Sequence, residues 1–215
     1  MAGPLDLKEQ IDLLKGLDIG ERDRKVMEKA SRFHGHICPG LATGVAASLE
    51  FLDDRERASD EELVAVVEND ACGVDGIQAV LGCTFGKGNL IFWDHGKSVY
   101  TFYSRESGTG KRYSVRDLPE GDPDEKGLIS RVRSEEATPE EEERFRRLWV
   151  KKAGEILRNR RVLFEVEEAE EEVPEKARLF DSFICPRCGE RTGSHRAVEI
   201  DDERYCIPCS EKVVQ

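Results

Sequence analysis

The sequence lacks long apolar runs, since no uninterrupted stretch approaches the roughly 18–20 residues that cross a bilayer. Its first residues also lack the basic segment, apolar run and small-residue cleavage site of a secretory signal peptide. Positive charge is scarce as well, because 33 Lys and Arg face 45 Asp and Glu, for a net charge of −12. We therefore expect a soluble, cytoplasmic protein with no membrane partner. Because this net charge repels phosphates, we also expect no nucleic-acid partner.

Cysteine, in contrast, is plentiful, with seven residues in the chain. The number is odd, and four of the seven form two C-x-x-C pairs, which favours metal binding over a secreted disulfide framework. The length of 215 residues suffices for one substantial core and a small second unit. Two domains are therefore predicted.

Hydrophobic spacing and cap residues predict an α+β fold for the larger part of the chain. Five segments have the spacing or caps of helices: 7–17, 21–32, 39–49, 74–81 and 138–160. Five more have the character of strands: 63–67, 89–93, 98–104, 112–115 and 162–166. We predict that they form a mixed, largely antiparallel sheet with packed helices. An acidic stretch at 165–175 then joins a core domain, residues 1–172, to a C-terminal module, residues 173–215.

The C-terminal module has the cysteine spacing of a four-thiolate zinc site, built on Cys185, Cys188, Cys206 and Cys209. Two residues between paired thiols let the chain turn so that both sulfurs reach one ion. Two disulfides or inert thiols are the alternatives, and the spacing favours zinc. Because protein thiolates fill all four positions, we expect a structural zinc ion, with His195 on the surface rather than in the ligand set.

The core has a second group of potential ligands in the motif that begins at His34. In an extended segment alternate side chains face the same way, so His34, His36 and Cys38 can project to one side. Proline is favoured at the first helical position, which would place Cys38 at an N-cap. The free N–H groups of a helix start favour the thiolate, which is both a nucleophile and a metal ligand.

Two further cysteines lie near glycine-rich turns. Cys72 precedes the predicted helix at 74–81, and Cys83 lies in the glycine-rich segment 82–88 that follows it. These cysteines could share one pocket with the histidine motif. Two interpretations stay open on spacing alone: a functional metal or thiolate site, or buried cysteines that only fill the core.

Three ordered motifs in these segments resemble the FmdE family, named for a component of formylmethanofuran dehydrogenase. The likeness covers approximately residues 13–166 and rests on the segments 33–40, 71–78 and 82–90. Members commonly have an α+β core followed by a treble-clef zinc finger, and the C-terminal module looks like that finger. The resemblance implies a core metal site at the following positions, the first four as matching ligands and His34 as a further candidate: His36, Cys38, Cys72, Cys83 and His34.

The resemblance also suggests Asp75, Gln78 and Lys87 as pocket residues. If the site is catalytic, the candidate residues are Cys38, His36, Cys83 and Asp75. We expect zinc in the core site, although mixed imidazole and thiolate ligands also suit iron, nickel or copper.

The family implies association with the molybdenum or tungsten enzyme that reduces CO2 to formylmethanofuran in methanogenesis. The leading hypothesis is therefore a metal-binding subunit or accessory protein of that oxidoreductase system, whose redox cofactors belong to other subunits. Its expected partners are those subunits and a second copy of itself in a homodimer. Two alternatives are kept: a free-standing metalloenzyme that uses the core His/Cys site, and a zinc-finger regulator that binds nucleic acid or polymerase.

Overall fold

Capping side chains fix where several helices begin. Asp6 accepts a hydrogen bond from the backbone N–H of Glu9, and Thr138 accepts one from that of Glu141. In both cases the glutamate reaches back to the cap residue, which completes a capping box. These local signals set the starts of the first helix and of the longest one, so both helices begin where the sequence predicts.

The computed structural model describes residues 5–53, 55, 57, 59–116, 122–177 and 180–213. The chain divides into two compact units, Met1–Lys176 and Ala177–Gln215. The first unit has helices α1 (Leu7–Lys15), α2 (Glu21–His34), α3 (Pro39–Phe51), α4 (Gly73–Leu81), α5 (Pro123–Arg133), α6 (Pro139–Arg158) and α7 (Arg160–Leu163). Its strands are β1 (Leu63–Val67), β2 (Leu90–Phe92), β3 (Val99–Ser104), β4 (Thr109–Val115) and β5 (Phe164–Glu168).

These strands form one sheet in the order β2-β1-β3-β4-β5. The β1–β2 pair is parallel and the other pairs are antiparallel, which confirms the predicted mixed, largely antiparallel sheet. Every residue of β1 is buried. On one face the sheet contributes to the main core with the helices, and on the other Val64, Val66 and Tyr103 pack against Ala169 and Val173 of the acidic connection.

Helices α3 and α4 pack at backbone contact distance because glycines face each other. A Cβ atom added at Gly44 would overlap the carbonyl oxygen of Gly73. A Cβ at Gly76 would lie 2.7 Å from the carbonyl oxygen of Leu41, again closer than real side chains allow. The small residues of α3 therefore allow α3 and α4 to pack closely. The contact between these two helices sets the distance between their N-termini.

Two elements differ from the sequence prediction. Helix α5 was not predicted, although Asp122 caps it through the N–H of Glu125 and Pro123 occupies its first turn. The segment predicted as a strand at 162–166 begins instead with α7, and the strand runs over 164–168. The short helix precedes the strand because Val162 continues the helical turn after Asn159, to whose carbonyl its N–H donates.

The second unit consists of short hairpins and one helix. Its elements are β6 (Ser182–Ile184), β7 (Arg191–Gly193), β8 (Val198–Ile200), β9 (Glu203–Tyr205) and α8 (Ile207–Val213), with β6 paired to β7 and β8 to β9. Its small core consists of three buried cysteines with Phe183 and Tyr205 against them. Across all the residues described above, no helix has both the length and the apolar character needed to cross a membrane.

Candidate metal centre

Four potential metal ligands converge in the core at the meeting point of α2, α3 and α4. One ligand atom from each of His34, His36, Cys38 and Cys72 lies within 4.8 Å of the other three. One ion with bonds of about 2.0–2.3 Å can bridge atoms at such spacing with small side-chain adjustments. The histidine motif and Cys72, predicted from sequence as ligands, are therefore brought together in space.

The turn between α2 and α3 presents three of these ligands. His34 is the last residue of α2, and Gly35 then adopts a left-handed conformation with φ of 96°, which reverses the chain. Two residues later the backbone N–H of Ile37 donates to Gln10 Oε1 at 2.8 Å, which ties the turn to α1. Cys38 then caps α3, as predicted, and accepts a hydrogen bond from the backbone N–H of Leu41 at 3.3 Å.

Cys72 reaches the cluster from the start of α4. Its backbone is already helical, and its thiol makes no cap hydrogen bond, unlike the thiol of Cys38. The thiol is brought to the cluster by the close α3–α4 packing. A Cβ added at Gly40 would lie 3.2 Å from the Cys72 Cβ.

A chain of hydrogen bonds supports the His34 imidazole from outside the cluster. His34 Nδ1 lies 2.7 Å from Asp75 Oδ2, and Gln78 Nε2 donates to Asp75 Oδ1 at 3.1 Å. With Nδ1 bound to the carboxylate, His34 turns Nε2 towards Cys38 Sγ, 3.9 Å away. A carboxylate behind a histidine in this way fixes the ring and raises its basicity as a metal ligand. Asp75 and Gln78 are therefore outer residues of the cluster.

Burial shifts the pKa values of both His36 and Cys38. Burial lowers the pKa of His36, and the charges of His34 and Arg146 lower it further, which favours the neutral imidazole that metals bind. Burial raises the pKa of the Cys38 thiol to about 12, and the N–H bond from Leu41 only partly offsets this. Two imidazoles and two thiols form a donor set that suits zinc and other late transition metals.

Cys83 does not join the cluster, contrary to the prediction. It follows the C-terminal end of α4, a nine-residue helix about 14 Å long, whereas Cys72 precedes the N-terminal end. Its buried thiol donates to the carbonyl of Leu63 at 3.5 Å. Lys87 is also directed elsewhere, since its Nζ donates to the carbonyl of Asp60 at 2.9 Å. Cys83 therefore belongs to the packing of β1.

The second cluster lies in the C-terminal unit and contains the four predicted cysteines. Ligand atoms of Cys185, Cys188, Cys206 and Cys209 lie within 4.8 Å of one another. A backbone hydrogen bond from Cys206 is the main cause that lowers the pKa of the Cys185 thiol to about 6. Gly189 follows the first pair in a left-handed conformation, with φ of 74°. The four thiols and the turn at Gly189 fit a four-thiolate zinc site.

Two clefts open beside the core cluster. The first, named here the α5–α6 cleft, has a volume of about 310 Å³ and is lined by these residues: Cys38, Pro39, Gly40, Cys72, Ile129, Arg133, Trp149, Lys152, Glu155 and Ile156. The second, the β-edge cleft, has a volume of about 320 Å³ and touches His34, Cys72, Asp75, Asp70, Phe85 and Phe92, among others. Sequence analysis missed the α5–α6 cleft because α5 itself was missed; the Asp-Pro start of α5 was the available signal.

Comparison with known proteins places the chain in a family. A family model described as FmdE, Molybdenum formylmethanofuran dehydrogenase operon, matches residues 33–165. An Archaeoglobus fulgidus protein named probable S-adenosyl-L-methionine-binding protein is 30% identical over 200 residues, which are 86% of this chain and 52% of that protein. The chain thus spans about half the length of this curated relative.

A crystal structure of a tungsten formylmethanofuran dehydrogenase FmdE-like protein from Syntrophus aciditrophicus shares the fold. It matches with a TM-score of 0.56 and 21% sequence identity, over 88% of this chain and 92% of that one. The family model spans more than half of this chain and includes the four converging residues of the core cluster. On this match, the chain belongs to the FmdE family.

Proposed function

We propose that the protein is a metal-binding accessory or subunit-type protein of the formylmethanofuran dehydrogenase system, with a transition metal ion in the core. The observation that carries this proposal is the convergence of His34, His36, Cys38 and Cys72. Asp75 positions His34, and the neutral form of His36 is ready to bind an ion. The bound ion, expected to be zinc, would supply Lewis acidity or a structural clamp at this point of the core.

The ligand set can be tested by diffraction at several metal absorption edges. Crystals of metal-loaded protein should give an anomalous peak in the core cluster that disappears in Cys38→Ser and persists in Cys83→Ser. Cys83→Ser is a suitable control because its thiol lies apart from the cluster and its substitution keeps a similar hydroxyl donor. The absorption edge at which the core peak first appears, as the X-ray energy is raised, would also identify the metal. No core peak at any edge in loaded crystals would overturn the proposed site.

The partner role is tested by copurification. The proposal rests on the family description, which refers to the operon of the molybdenum enzyme. Tagged protein, isolated from the native organism under mild conditions, should bring down subunits of formylmethanofuran dehydrogenase. Tagged chain truncated after residue 176 is the matched comparison, because it separates binding by the core from binding by the C-terminal unit. If neither form retains dehydrogenase subunits, the accessory role is wrong.

For the C-terminal unit we propose a structural zinc ion held by the four thiols. The short elements of this unit enclose little apolar surface apart from the cysteines themselves. In such small domains metal binding supplies much of the folding free energy. The domain would then serve as a contact module for a protein partner.

A free-standing metalloenzyme is the second candidate, and one observation favours it. Cys38 and Cys72 both line the α5–α6 cleft, so a small molecule that enters it could approach an ion held by these residues. Cobalt substitution distinguishes the two candidates. The visible spectrum of the Co²⁺ form should change on addition of cyanide if the ion has an accessible position. An unchanged spectrum would leave the ion fully enclosed and count against catalysis.

Binding of S-adenosyl-L-methionine is a property that the name of the Archaeoglobus relative suggests. The shared region is 86% of this chain but only 52% of that protein, so the property could belong to either half of the relative. Isothermal titration of the intact chain with S-adenosyl-L-methionine tests it. Heat of binding that saturates in the micromolar range would assign the property to the shared half, and its absence up to millimolar concentration would assign it elsewhere.

A further inference from the structure

The α5–α6 cleft is lined by more positive than negative side chains, although the chain as a whole is acidic. The chain carries a net charge of −12, but two cations, Arg133 and Lys152, line this cleft beside the cluster thiols. The remaining wall is largely apolar and includes Trp149 and Ile156. A concave site with an apolar wall and a few charged groups is the usual form of a small-molecule site.

The two cations of the cleft differ in whether they have an ion-pair partner. Lys152 forms an ion pair with Glu125 at 2.9 Å. Glu155, the one carboxylate among the described residues that line the cleft, lies 3.8 Å from Lys151. Arg133 is exposed and has no ion pair or side-chain hydrogen bond with any residue of the described part of the chain. A guanidinium without a partner presents a planar fork of donors that matches carboxylate and phosphate oxygens.

The other cleft beside the cluster, the β-edge cleft, has the reverse charge. The β-edge cleft is lined by Asp70 and Asp75, together with the exposed ring of Phe85, and it includes no Lys or Arg of the described part of the chain. An anion is therefore repelled from this side and attracted to the α5–α6 side. A divalent ion with two thiolates and two neutral imidazoles would have no net charge, so the cluster itself would not repel the anion.

We propose that the α5–α6 cleft binds a small organic anion, with its carboxylate or phosphate group on Arg133 and its apolar body against Trp149 and Ile156. The anion then lies next to Cys38 and Cys72. The description of this anion as the substrate or regulatory ligand of the metal site rests on the proposed function. Binding to the cleft needs only the protein residues that line it.

The two tryptophans of the chain allow a direct test. Trp93→Phe leaves Trp149 as the single tryptophan of the protein, inside the proposed site. In this background 3-phenylpropionate and phenyl phosphate serve as anionic probes, and 3-phenyl-1-propanol serves as the neutral probe of similar shape. We expect at least one anion to change the Trp149 emission saturably, with the alcohol binding about tenfold more weakly or worse.

Variants locate the anion within the protein. Arg133→Ala should weaken the anion about tenfold or more and leave the alcohol unchanged, and Arg133→Lys should restore part of the affinity. Asp70→Ala, an exposed residue of the β-edge cleft, is the control and should leave affinity unchanged. Equal binding of all probes, or anion binding that Arg133→Ala leaves intact, would overturn the proposal.

Metal content measured on the same samples separates this inference from the proposed function. Arg133-dependent anion binding to protein that takes up no core metal would support the anion site and contradict the metal site. A metal-loaded core with no Arg133-dependent binding would contradict the anion site alone.

Discussion

The carboxylate of Asp75 lies 2.7 Å from Nδ1 of His34, a residue 41 positions earlier in the chain. This contact joins α4 to the end of α2 and leaves Nε2 of His34 facing Cys38. The half-exposed carboxylate is therefore a positioning group for the core cluster rather than a ligand within it.

Removal of this carboxylate should weaken the core metal site selectively. We predict that Asp75→Ala lowers core metal affinity roughly 10–100-fold, because the ring of His34 loses the hydrogen bond that orients it. Competition with a chromophoric chelator measures the effect. Asp70→Ala provides a matched loss of one carboxylate in the same cleft and should change nothing. Equal affinity in the Asp75→Ala and Asp70→Ala proteins would refute the positioning role.

A methyl group at the α3–α4 contact should destabilise the protein strongly. Gly44→Ala would force the two helices apart, because the new Cβ overlaps the backbone of Gly73. Overpacking of this kind costs about 3 kcal/mol in the free energy of unfolding. Since the helices carry Cys38 and Cys72 at their starts, the variant should also lose core metal affinity. Urea denaturation and chelator competition measure the two effects.

Gly127→Ala is the control for this prediction. Gly127 lies within α5, and among the described residues a Cβ there would meet just Arg131 Nη1, at 3.6 Å, an ordinary contact. Higher helix propensity should then stabilise the protein by about 0.5–1 kcal/mol. If Gly44→Ala behaves like Gly127→Ala, the close helix contact does not hold in solution.

Local patterns predicted much of this fold, whereas contacts between distant segments could not be predicted. The cap at Cys38 was predictable because the cap and Pro39 are adjacent. The pairing of His34 with Asp75 was not, since no local spacing relates side chains on two helices. Cys83 was misassigned for the same reason. A glycine-rich loop indicates that the backbone closely approaches another group, but it does not identify that group.

Arg160 pairs with one carboxylate of α2, one of α3 and one just after α3, and should contribute to stability in a pH-dependent way. Its guanidinium lies 2.6 Å from Glu50, 2.9 Å from Asp53 and 3.3 Å from Asp23. The pKa of Asp53 is held below its usual value. Partial burial acts in the opposite direction, but the hydrogen bond and the charge of Arg160 outweigh it. The network therefore stabilises the fold while Asp53 is ionised.

We predict that Arg160→Met lowers the free energy of unfolding by about 2 kcal/mol at pH 7, because three carboxylates lose their shared partner. A lowered carboxyl pKa contributes stability above the unfolded value, near 3.9, and loses it as the pH falls through the folded value. The difference between wild type and variant should thus shrink below pH 4. Arg161→Met is the control. It should lower the free energy of unfolding only slightly, because the Arg161 side chain is 79% exposed. A constant difference from pH 7 to pH 3 would contradict the ionic origin.

The C-terminal unit should unfold without its metal while the core remains folded. We predict that Cys206→Ser collapses the amide resonances of residues 182–213 to unfolded positions in a ¹⁵N correlation spectrum, since the zinc ion supplies the folding free energy. Resonances of α3 and β1 should not move. Ser210→Ala, a non-ligand change in the same helix, is the comparison. Dispersed resonances of this unit in the Cys206→Ser protein would show that it folds without the ion.

Metal stoichiometry tests the central claim, a second metal site in the core, most directly. Protein loaded with zinc, freed of excess ion and analysed by mass spectrometry for metal per chain, should contain two ions in the wild type and in Cys83→Ser. Cys72→Ser should contain one, since it loses a core ligand and keeps all four finger thiols. A single ion in the wild type, unchanged by Cys72→Ser, would contradict the account.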